Sequence, residues 1–255
     1  MSEETGLIEW ASNTIPMKSL IVESRTKDII TYHKLIAKEA DQRKRVDLYK
    51  KYILNSSYTL PPQFYSNFNH SFPIPHHQIK ARENYSKSMA VMSMVGSIIG
   101  LGDRHLENIL LNTKDGNIVH IDFDMLFWKG EILPVPETVP FRLTTNMIDC
   151  FGPQAENGFF LDMCTVVLKT LRHNQSVIIS LTDSMLQNPF IDWANNESSA
   201  SQIPEKPIPR FKRILSGIDK LGRVVSERSQ AEQLINDAKS VDNLGSMFHG
   251  WLPYI

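Results

Sequence analysis

The stretches GLGDRHLENILL (residues 100–111) and IVHIDFD (residues 118–124) decide the fold of this chain. Each contains a short apolar run, and the polar segment between the two runs includes the dipeptide Asp115-Gly116. Asp-Gly suits the positive-φ positions of a tight two-residue turn. The pattern therefore predicts an antiparallel β-hairpin with Asp115-Gly116 at its tip.

The open end of this hairpin carries the chemistry. A symmetric two-residue turn places Ile109 opposite Asp122. Asn108 and Asp122 then meet at the open end, and Asp103 lies directly upstream. Oxygen-bearing side chains that converge in this way can hold Mg²⁺ on phosphate oxygens. The alternative is a surface hairpin with unrelated acidic residues, but the loop, the hairpin and the second Asp together favour the phosphate site.

Composition narrows the class of protein. With 255 residues, of which 42% are hydrophobic, the chain can bury a substantial core, and its net charge of −1 does not indicate a nucleic-acid binder. Cys150 and Cys164 lack metal-type spacing and are interpreted as reduced, buried thiols. No apolar run approaches the ~20 residues that a membrane-spanning helix needs, so we expect no membrane insertion.

The remaining sequence predicts a mainly α-helical chain. Residues 6–11 are interpreted as a short strand, and residues 194–209, polar and proline-bearing, as a flexible linker. An aromatic, apolar C-terminal end is expected to dock onto the rest of the chain; it contains Met247, Phe248, Trp251, Leu252 and Tyr254. The predicted helices are 17–55 with a break near residue 28, 82–99, 156–173, 176–187, 211–221 and 229–239.

Four motifs in chain order resemble the C-terminal end of a phosphatidylinositol-3-kinase-related protein kinase. The catalytic loop G-D-R-H-x-x-N fits residues 102–108, and the metal-binding strand H-[IV]-D-[FL] fits residues 120–123. The activation-segment motif V-P-F-R-L-T fits residues 139–144, and the G-W ending of the FATC segment fits residues 249–252. Within the family the chain is most similar to ATR-type DNA-damage checkpoint kinases, as GLIEW, AVMSMVG and GWLPY indicate.

The resemblance implies a mainly α fold with a small β-hairpin, namely the larger lobe of the kinase followed by a helical FATC tail. Residues 1–175 would form the hinge and this C-lobe. Residues 176–222 would form a helical regulatory region, and residues 223–255 the FATC domain.

The resemblance also implies roles at the hairpin's open end. Asp103 would accept or orient the proton of the substrate hydroxyl. His105 would stabilise charge on the transferring phosphoryl group. Asn108 and Asp122 would hold Mg²⁺, with Mn²⁺ as an alternative, and Arg104 would brace the loop.

The ATP base would bind at the hinge. Glu9, Trp10 and Ala11 match the hinge of the family, where backbone groups hydrogen-bond adenine and the Trp10 ring packs on it. Leu110 and Ile121 would form the apolar floor under the base. A plain core tryptophan is the alternative for Trp10.

Several parts of a kinase are missing from this sequence. There is no Gly-rich phosphate lid, no strand lysine and no helix glutamate, so the smaller lobe (N-lobe) is absent. Because these parts stabilise the transition state, we expect the polypeptide alone to have little or no kinase activity. A truncated, non-catalytic regulatory fragment is therefore one alternative function.

A phosphoinositide lipid kinase is the other alternative. Lipid kinases place basic residues in the activation segment, yet here Lys129 stands against four acids, Asp122, Asp124, Glu131 and Glu137. The resemblance instead implies protein substrates with Ser-Gln or Thr-Gln sites, an adaptor subunit of the ATR-interacting type, association with DNA through partners, a large homodimeric assembly and a nuclear location. Arg142, in the motif after this segment, is expected to tie the segment down.

Overall fold

The computed structural model describes residues 7–22, 26–39, 41–54, 62–186, 207–219 and 221–255, which are mainly helical with one small sheet, as predicted. The strands are β1 (Thr14–Pro16), β2 (Ile109–Asn112) and β3 (Ile118–His120). The helices are α1 (Met17–Ile21), α2 (Thr26–Ala37), α3 (Gln42–Leu54), α4 (Phe64–Ser71), α5 (Pro75–Ile99), α6 (Thr145–Asp149), α7 (Phe159–His173), α8 (Gln175–Leu186), α9 (Pro207–Leu215), α10 (Glu227–Lys239) and α11 (Val241–Ser246). Short 3₁₀ turns occupy Lys129–Ile132, Ala155–Asn157 and His249–Trp251.

The hairpin forms, but its register differs by two residues from the predicted one. Ile109 pairs with His120 rather than with Asp122. The turn contains four residues, 113–116, and is closed by a hydrogen bond from the Gly116 N–H to the Asn112 carbonyl (2.9 Å). Because side chains alternate with a period of two, this shift keeps every side chain on its predicted face of the sheet.

Contacts with α5 explain the longer turn. Asn84 on α5 donates a hydrogen bond to the Asp115 carbonyl (2.9 Å). Gly116 has φ of +78° and lies so close to the backbone of Ala81 that a Cβ would not fit. Ser88 accepts a hydrogen bond from the Ile118 N–H (2.8 Å). Helix α5 therefore shapes the turn, and this long-range effect cannot be predicted from local turn preferences.

The third strand lies later in the chain than predicted. Residues 7–11 are not in a strand, and β1 begins at Thr14, antiparallel to β2 with Pro16 beside Leu110. Leu7 and Ile8 are strongly exposed, because residues 7–11 have no neighbouring strand in the described structure. The prediction of a strand at 6–11 is wrong for the described residues 7–11.

Helix α5 is the central element of the core. It begins at Pro75, seven residues before the predicted start, because proline is favoured in the first helical turn even where the sequence is polar. Tyr85 and Met89 are fully buried, and the helix packs against α7 and β3. Gly100, with φ of +64°, ends the helix in the left-handed conformation. The chain then enters the loop before β2.

Other helices differ from the predictions mainly at their ends. Residue 28 lies inside α2 (Thr26–Ala37) rather than at a break between helices. Helix α9 begins at Pro207, which the sequence places in the linker, and ends at Leu215 rather than at 221. The rest of the predicted linker, residues 194–206, lies outside the described residues. Cys150 and Cys164 are free and buried, as predicted, and burial raises the pKa of both thiols.

The C-terminal end docks onto the rest of the chain, as predicted. Met247, Trp251, Tyr254 and Ile255 are each at most 5% exposed. Phe248 is the exception among the predicted docking residues, with 52% of its surface exposed. None of the helices in the described ranges is long and apolar enough to cross a membrane.

Arg142 was expected to tie down the activation segment, and it also anchors the C-terminal end. Its side chain is buried and donates hydrogen bonds to the carbonyls of Trp251 (2.7 Å), Leu252 (2.7 Å) and Ile255 (2.8 Å). The guanidinium also lies 4.2 Å from the centre of the Trp251 ring. Burial lowers the pKa of Arg142 to about 9, so the group remains charged at neutral pH. The three carbonyls and the ring replace the water that this charge loses.

We expect Arg142→Lys to lower the free energy of unfolding by about 3 kcal/mol, because a single ammonium cannot reach three carbonyls in the geometry of the planar guanidinium. Denaturant titration measures this loss. Arg228→Lys, on the exposed ion pair with Asp162, is the matched control and should leave stability unchanged. Equal stability of the two variants would contradict the anchoring role of Arg142.

Candidate active site

The loop between α5 and β2 is held against the segment that follows β3. The Phe127 N–H donates to the Ile99 carbonyl (3.0 Å), and the Trp128 N–H to the Gly100 carbonyl (2.9 Å). The Gly102 N–H donates in the other direction, to the Met125 carbonyl (2.7 Å). These bonds bring the two ends of the candidate site, at residues 103 and 122, onto one surface.

Asp103 has its backbone fixed on both sides. Its φ of +55° lies in the left-handed region, which Asp tolerates better than most residues. Its N–H donates to Oε1 of Glu137 (2.9 Å), and its carbonyl accepts a hydrogen bond from Nδ2 of Asn108 (3.0 Å). The Asp103 side chain makes neither contact and is 43% exposed, so its carboxylate is available to a substrate.

His105 lies next to the Asp103 carboxylate. Its Nε2 is 3.8 Å from Oδ2 of Asp103. Its Nδ1 accepts a hydrogen bond from the Glu107 N–H (3.2 Å), which places the proton of the neutral ring on Nε2. The N–H of His105 is therefore on the side of Asp103, where the sequence predicts phosphoryl transfer.

Asn108 and Asp122 present the oxygens expected of a magnesium site. Asn108 is buried and uses Nδ2 on the Asp103 carbonyl, which leaves its Oδ1 for a cation. Asp122 is exposed and has φ of +60°. An amide and a carboxylate oxygen are ligands that Mg²⁺ prefers, with phosphate and water completing its shell. The donor set thus fits Mg²⁺. Within the described ranges, no group of three or more His, Cys, Asp or Glu side chains could hold a metal ion by itself, so phosphate would have to supply further ligands.

Arg104 braces the loop, as predicted. Its buried guanidinium donates to the carbonyls of Gly102 (2.9 Å), Ile121 (2.7 Å) and Asp122. Burial lowers the pKa of Arg104, whereas the charges of Asp103 and nearby acids oppose this change. The side chain joins the catalytic loop to the end of β3.

The predicted adenine-binding residues are only partly brought together. The Ile121 N–H donates to the Asn108 carbonyl (3.1 Å) and so continues the hairpin beyond β3. By the alternation of the strands, Leu110 and Ile121 share the sheet face with Asn108, opposite the buried face of Ile109. Glu9, Trp10 and Ala11, by contrast, precede β1 on the unpaired segment 7–11.

Trp10 is 80% exposed, so the described structure does not pack it as a core tryptophan. Glu9 is also exposed, and the Ala11 carbonyl accepts a hydrogen bond from the Thr14 hydroxyl (2.7 Å). The adenine contacts of these residues therefore stay predictions.

Two residues near the site were not predicted as functional. Glu137 accepts the Asp103 amide, although the sequence showed it only as one of the acids of the activation segment. His120 is buried without a hydrogen-bond partner in the described structure, and burial, with Arg104 nearby, lowers the pKa of its ring to about 3. Glu137 lies just before the VPFRLT motif, but nothing in this stretch indicates its partner, which is 34 residues earlier in the chain.

We expect Arg104→Lys to lower the free energy of unfolding by about 2–3 kcal/mol, because an ammonium cannot replace the planar fork that binds carbonyls on two elements. Amide hydrogen exchange should accelerate at Ile121, at the hairpin end. Arg228→Lys, on the exposed pair with Asp162, is the control and should change neither quantity. Unaltered exchange at Ile121 in Arg104→Lys would argue against the bracing role.

Comparison with known proteins shows the family to which this chain belongs. The model of phosphatidylinositol 3- and 4-kinases matches residues 1–195, and the FATC domain model matches residues 224–255. Protein kinase rad3 of Schizosaccharomyces pombe is 37% identical over 267 residues, covering 100% of this chain and 11% of that protein. Serine/threonine-protein kinase ATR of Arabidopsis thaliana is 34% identical over 270 residues, covering 100% and 10%.

The fold agrees with solved structures. The FAT and kinase domain of CtTel1 matches with a TM-score of 0.81 at 32% identity, over 96% of this chain and 18% of that one. The chain spans about a tenth of the length of the curated relatives it matches. It belongs to the phosphatidylinositol 3- and 4-kinase family, with a C-terminal FATC domain and relatives of the Rad3, MEC1 and ATR checkpoint-kinase type along its whole length.

Proposed function

We propose that this chain supplies the catalytic loop and the metal-binding residues of an ATP-dependent serine/threonine protein kinase of the ATR checkpoint type. The observation that carries the proposal is the convergence of Asp103, His105, Asn108 and Asp122 at the open end of one hairpin. Each of these four side chains has an oxygen or nitrogen for which no hydrogen bond within the described structure is observed. The relatives named as serine/threonine-protein kinases support the same reaction class.

Asp103 acts on the substrate hydroxyl. Its exposed carboxylate accepts the hydroxyl proton as the oxygen of a serine or threonine side chain attacks the γ-phosphorus of ATP. The bond from that phosphorus to the bridging oxygen of ADP breaks, and ADP leaves with the electron pair. The Asp103 side chain is 43% exposed, so a substrate hydroxyl can approach its carboxylate.

His105 acts on the phosphoryl group. Its Nε2–H, on the Asp103 side of the ring, donates a hydrogen bond to an oxygen of the group in transfer. Charge on those oxygens changes along the reaction, and a donor fixed in advance lowers the barrier without reorganisation. The Glu107 amide holds the ring in the required tautomer.

Asn108 and Asp122 would hold Mg²⁺, or Mn²⁺ in its place, through Oδ1 and a carboxylate oxygen. When bound, the ion neutralises phosphate charge. Leu110 and Ile121 offer the apolar face on which adenine would lie, and the segment of Glu9, Trp10 and Ala11 would complete the nucleotide site together with a smaller lobe.

The charges of the activation segment favour a protein over a lipid substrate. Asp122 and Asp124 are exposed. Lys129 donates to the carbonyl of Asp124 (3.3 Å), and Glu131 is paired with Arg210 of α9. An anionic inositol headgroup would meet two exposed carboxylates and a single lysine, whose ammonium already binds a backbone carbonyl.

The finer functional features are proposed from the resemblance to ATR-type checkpoint kinases. We propose Ser-Gln and Thr-Gln sites as substrates, a role in DNA-damage and DNA-repair signalling, a nuclear location, and an adaptor of the ATR-interacting type that connects the kinase to DNA. Solved structures of similar chains include a complete CtTel1 dimer with C2 symmetry. A large dimeric assembly is therefore proposed here too.

We expect Asp122→Asn in the native protein to lower turnover of a Ser-Gln peptide with Mg²⁺ and ATP by roughly 10²-fold or more, because the carboxylate that holds the ion loses its charge. Asp124→Asn is the matched control: it removes an exposed acid two residues later and should leave turnover unchanged. Steady-state transfer of radiolabelled phosphate measures both. Full activity of Asp122→Asn, or transfer to phosphoinositide instead of peptide, would overturn the proposal.

We expect residues 1–255 expressed alone to show no phosphotransfer above that of their own Asp122→Asn variant. The reason is that the sequence contains neither a Gly-rich lid nor the lysine that stabilises phosphate charge in the transition state. Circular dichroism must first show that the polypeptide is helical. Phosphotransfer by residues 1–255 that is lost in their Asp122→Asn variant would contradict this expectation.

A further inference from the structure

We propose that Glu137 is a positioning residue that fixes the backbone of Asp103 and thereby connects the activation segment to the catalytic loop. The inference rests on the proposed function, because it concerns how the catalytic Asp103 is held. The Glu137 side chain binds the backbone of Asp103 and not its carboxylate, so its role is to orient Asp103 rather than to react.

The contact that carries the inference is the hydrogen bond from the Asp103 N–H to Oε1 of Glu137, at 2.9 Å. A left-handed backbone costs energy for a residue with a Cβ, and it persists only where surrounding contacts enforce it. The peptide before Asp103 is held at its N–H by this carboxylate and at its carbonyl by Arg104, and the peptide after Asp103 is held by Asn108. Without Glu137, the Asp103 N–H loses its partner and Arg104 alone holds the first peptide.

The carboxylate of Glu137 occupies a slot that two glycines leave open. A Cβ at Gly102 or at Gly130 would overlap its Oε2. The Glu137 N–H also donates to the Gly130 carbonyl (2.9 Å). Because residues 102 and 130 have no side chains, the Glu137 carboxylate can lie against the loop that contains Asp103.

Thr138, the residue after Glu137, binds the C-terminal region. The Thr138 hydroxyl donates to the Asn243 carbonyl (2.7 Å), and the Thr138 N–H to the sulfur of Met247 (3.4 Å). Asn243 lies in α11, and Met247 follows it directly. A continuous path therefore runs from the docked C-terminal region through residues 138 and 137 to Asp103.

Glu137 is unsuited to be the base itself. Glu137 is partly buried and binds the Asp103 amide, whereas the Asp103 side chain is 43% exposed. One of the Glu137 oxygens accepts the Asp103 amide, and the other lies against Gly102 and Gly130.

The test compares three variants of the native protein. Glu137→Ala removes the acceptor, Glu137→Gln keeps an acceptor oxygen without the charge, and Glu131→Gln breaks the ion pair with Arg210 in the same segment. We expect Glu137→Ala to lower kcat by roughly 10- to 100-fold with KM for ATP nearly unchanged, because displacement of a catalytic group by about 1 Å costs up to about 10²-fold. Glu137→Gln and Glu131→Gln should keep kcat within about threefold of the wild type.

Hydrogen exchange reports on the contact without reference to activity. The Asp103 amide should exchange faster in Glu137→Ala and at the wild-type rate in the other two variants. Wild-type kcat in Glu137→Ala, equal losses in Glu137→Ala and Glu137→Gln, or faster exchange throughout the domain would each overturn the inference. If the wild type shows no turnover that Asp122→Asn removes, the proposed function fails. The exchange rate of the Asp103 amide then decides by itself whether Glu137 positions this residue.

Discussion

One guanidinium holds the two halves of the site together. The end of a hairpin exposes carbonyls that the sheet no longer pairs, and burying them without partners would cost free energy. Arg104 satisfies carbonyls of Gly102, Ile121 and Asp122 with one planar group that stays protonated. This bracing allows Asp103 and Asp122 to adopt left-handed backbones on neighbouring loops. The rest of the site depends on that arrangement.

The same solution appears a second time at Arg142. Both arginines are buried, and both direct their donors to backbone carbonyls instead of to carboxylates. An arginine paired with Asp103 or Asp122 would neutralise the charge that the proposed chemistry needs. Because the buried cations are satisfied by the main chain, the site acids keep their carboxylates exposed. Arg104 thus lies close enough to the site acids for their charges to act on it, but its hydrogen bonds go to the main chain.

The sequence predicts what is local and misses what depends on distant contacts. Asp103, His105 and Asn108 lie within six residues, so their spacing alone places them at the end of a hairpin. The turn length was wrong because α5, through Asn84 and Ala81, shapes the turn. The role of Glu137 was missed for the same reason, since no pattern in its neighbourhood reports a bond to an amide 34 residues earlier. The fold class, by contrast, follows from helical periodicity summed over many residues.

The bonds of Arg142 also set the order in which the molecule can be completed. Its carbonyl partners lie 109, 110 and 113 residues further along the chain. During synthesis the N-terminal elements emerge first, so Arg142 leaves the ribosome long before residues 251–255 exist. Until then its charge must remain in water, and the core around it stays open. Final closure is therefore a late, non-local step, of the kind that slows folding and exposes apolar surface to chaperones.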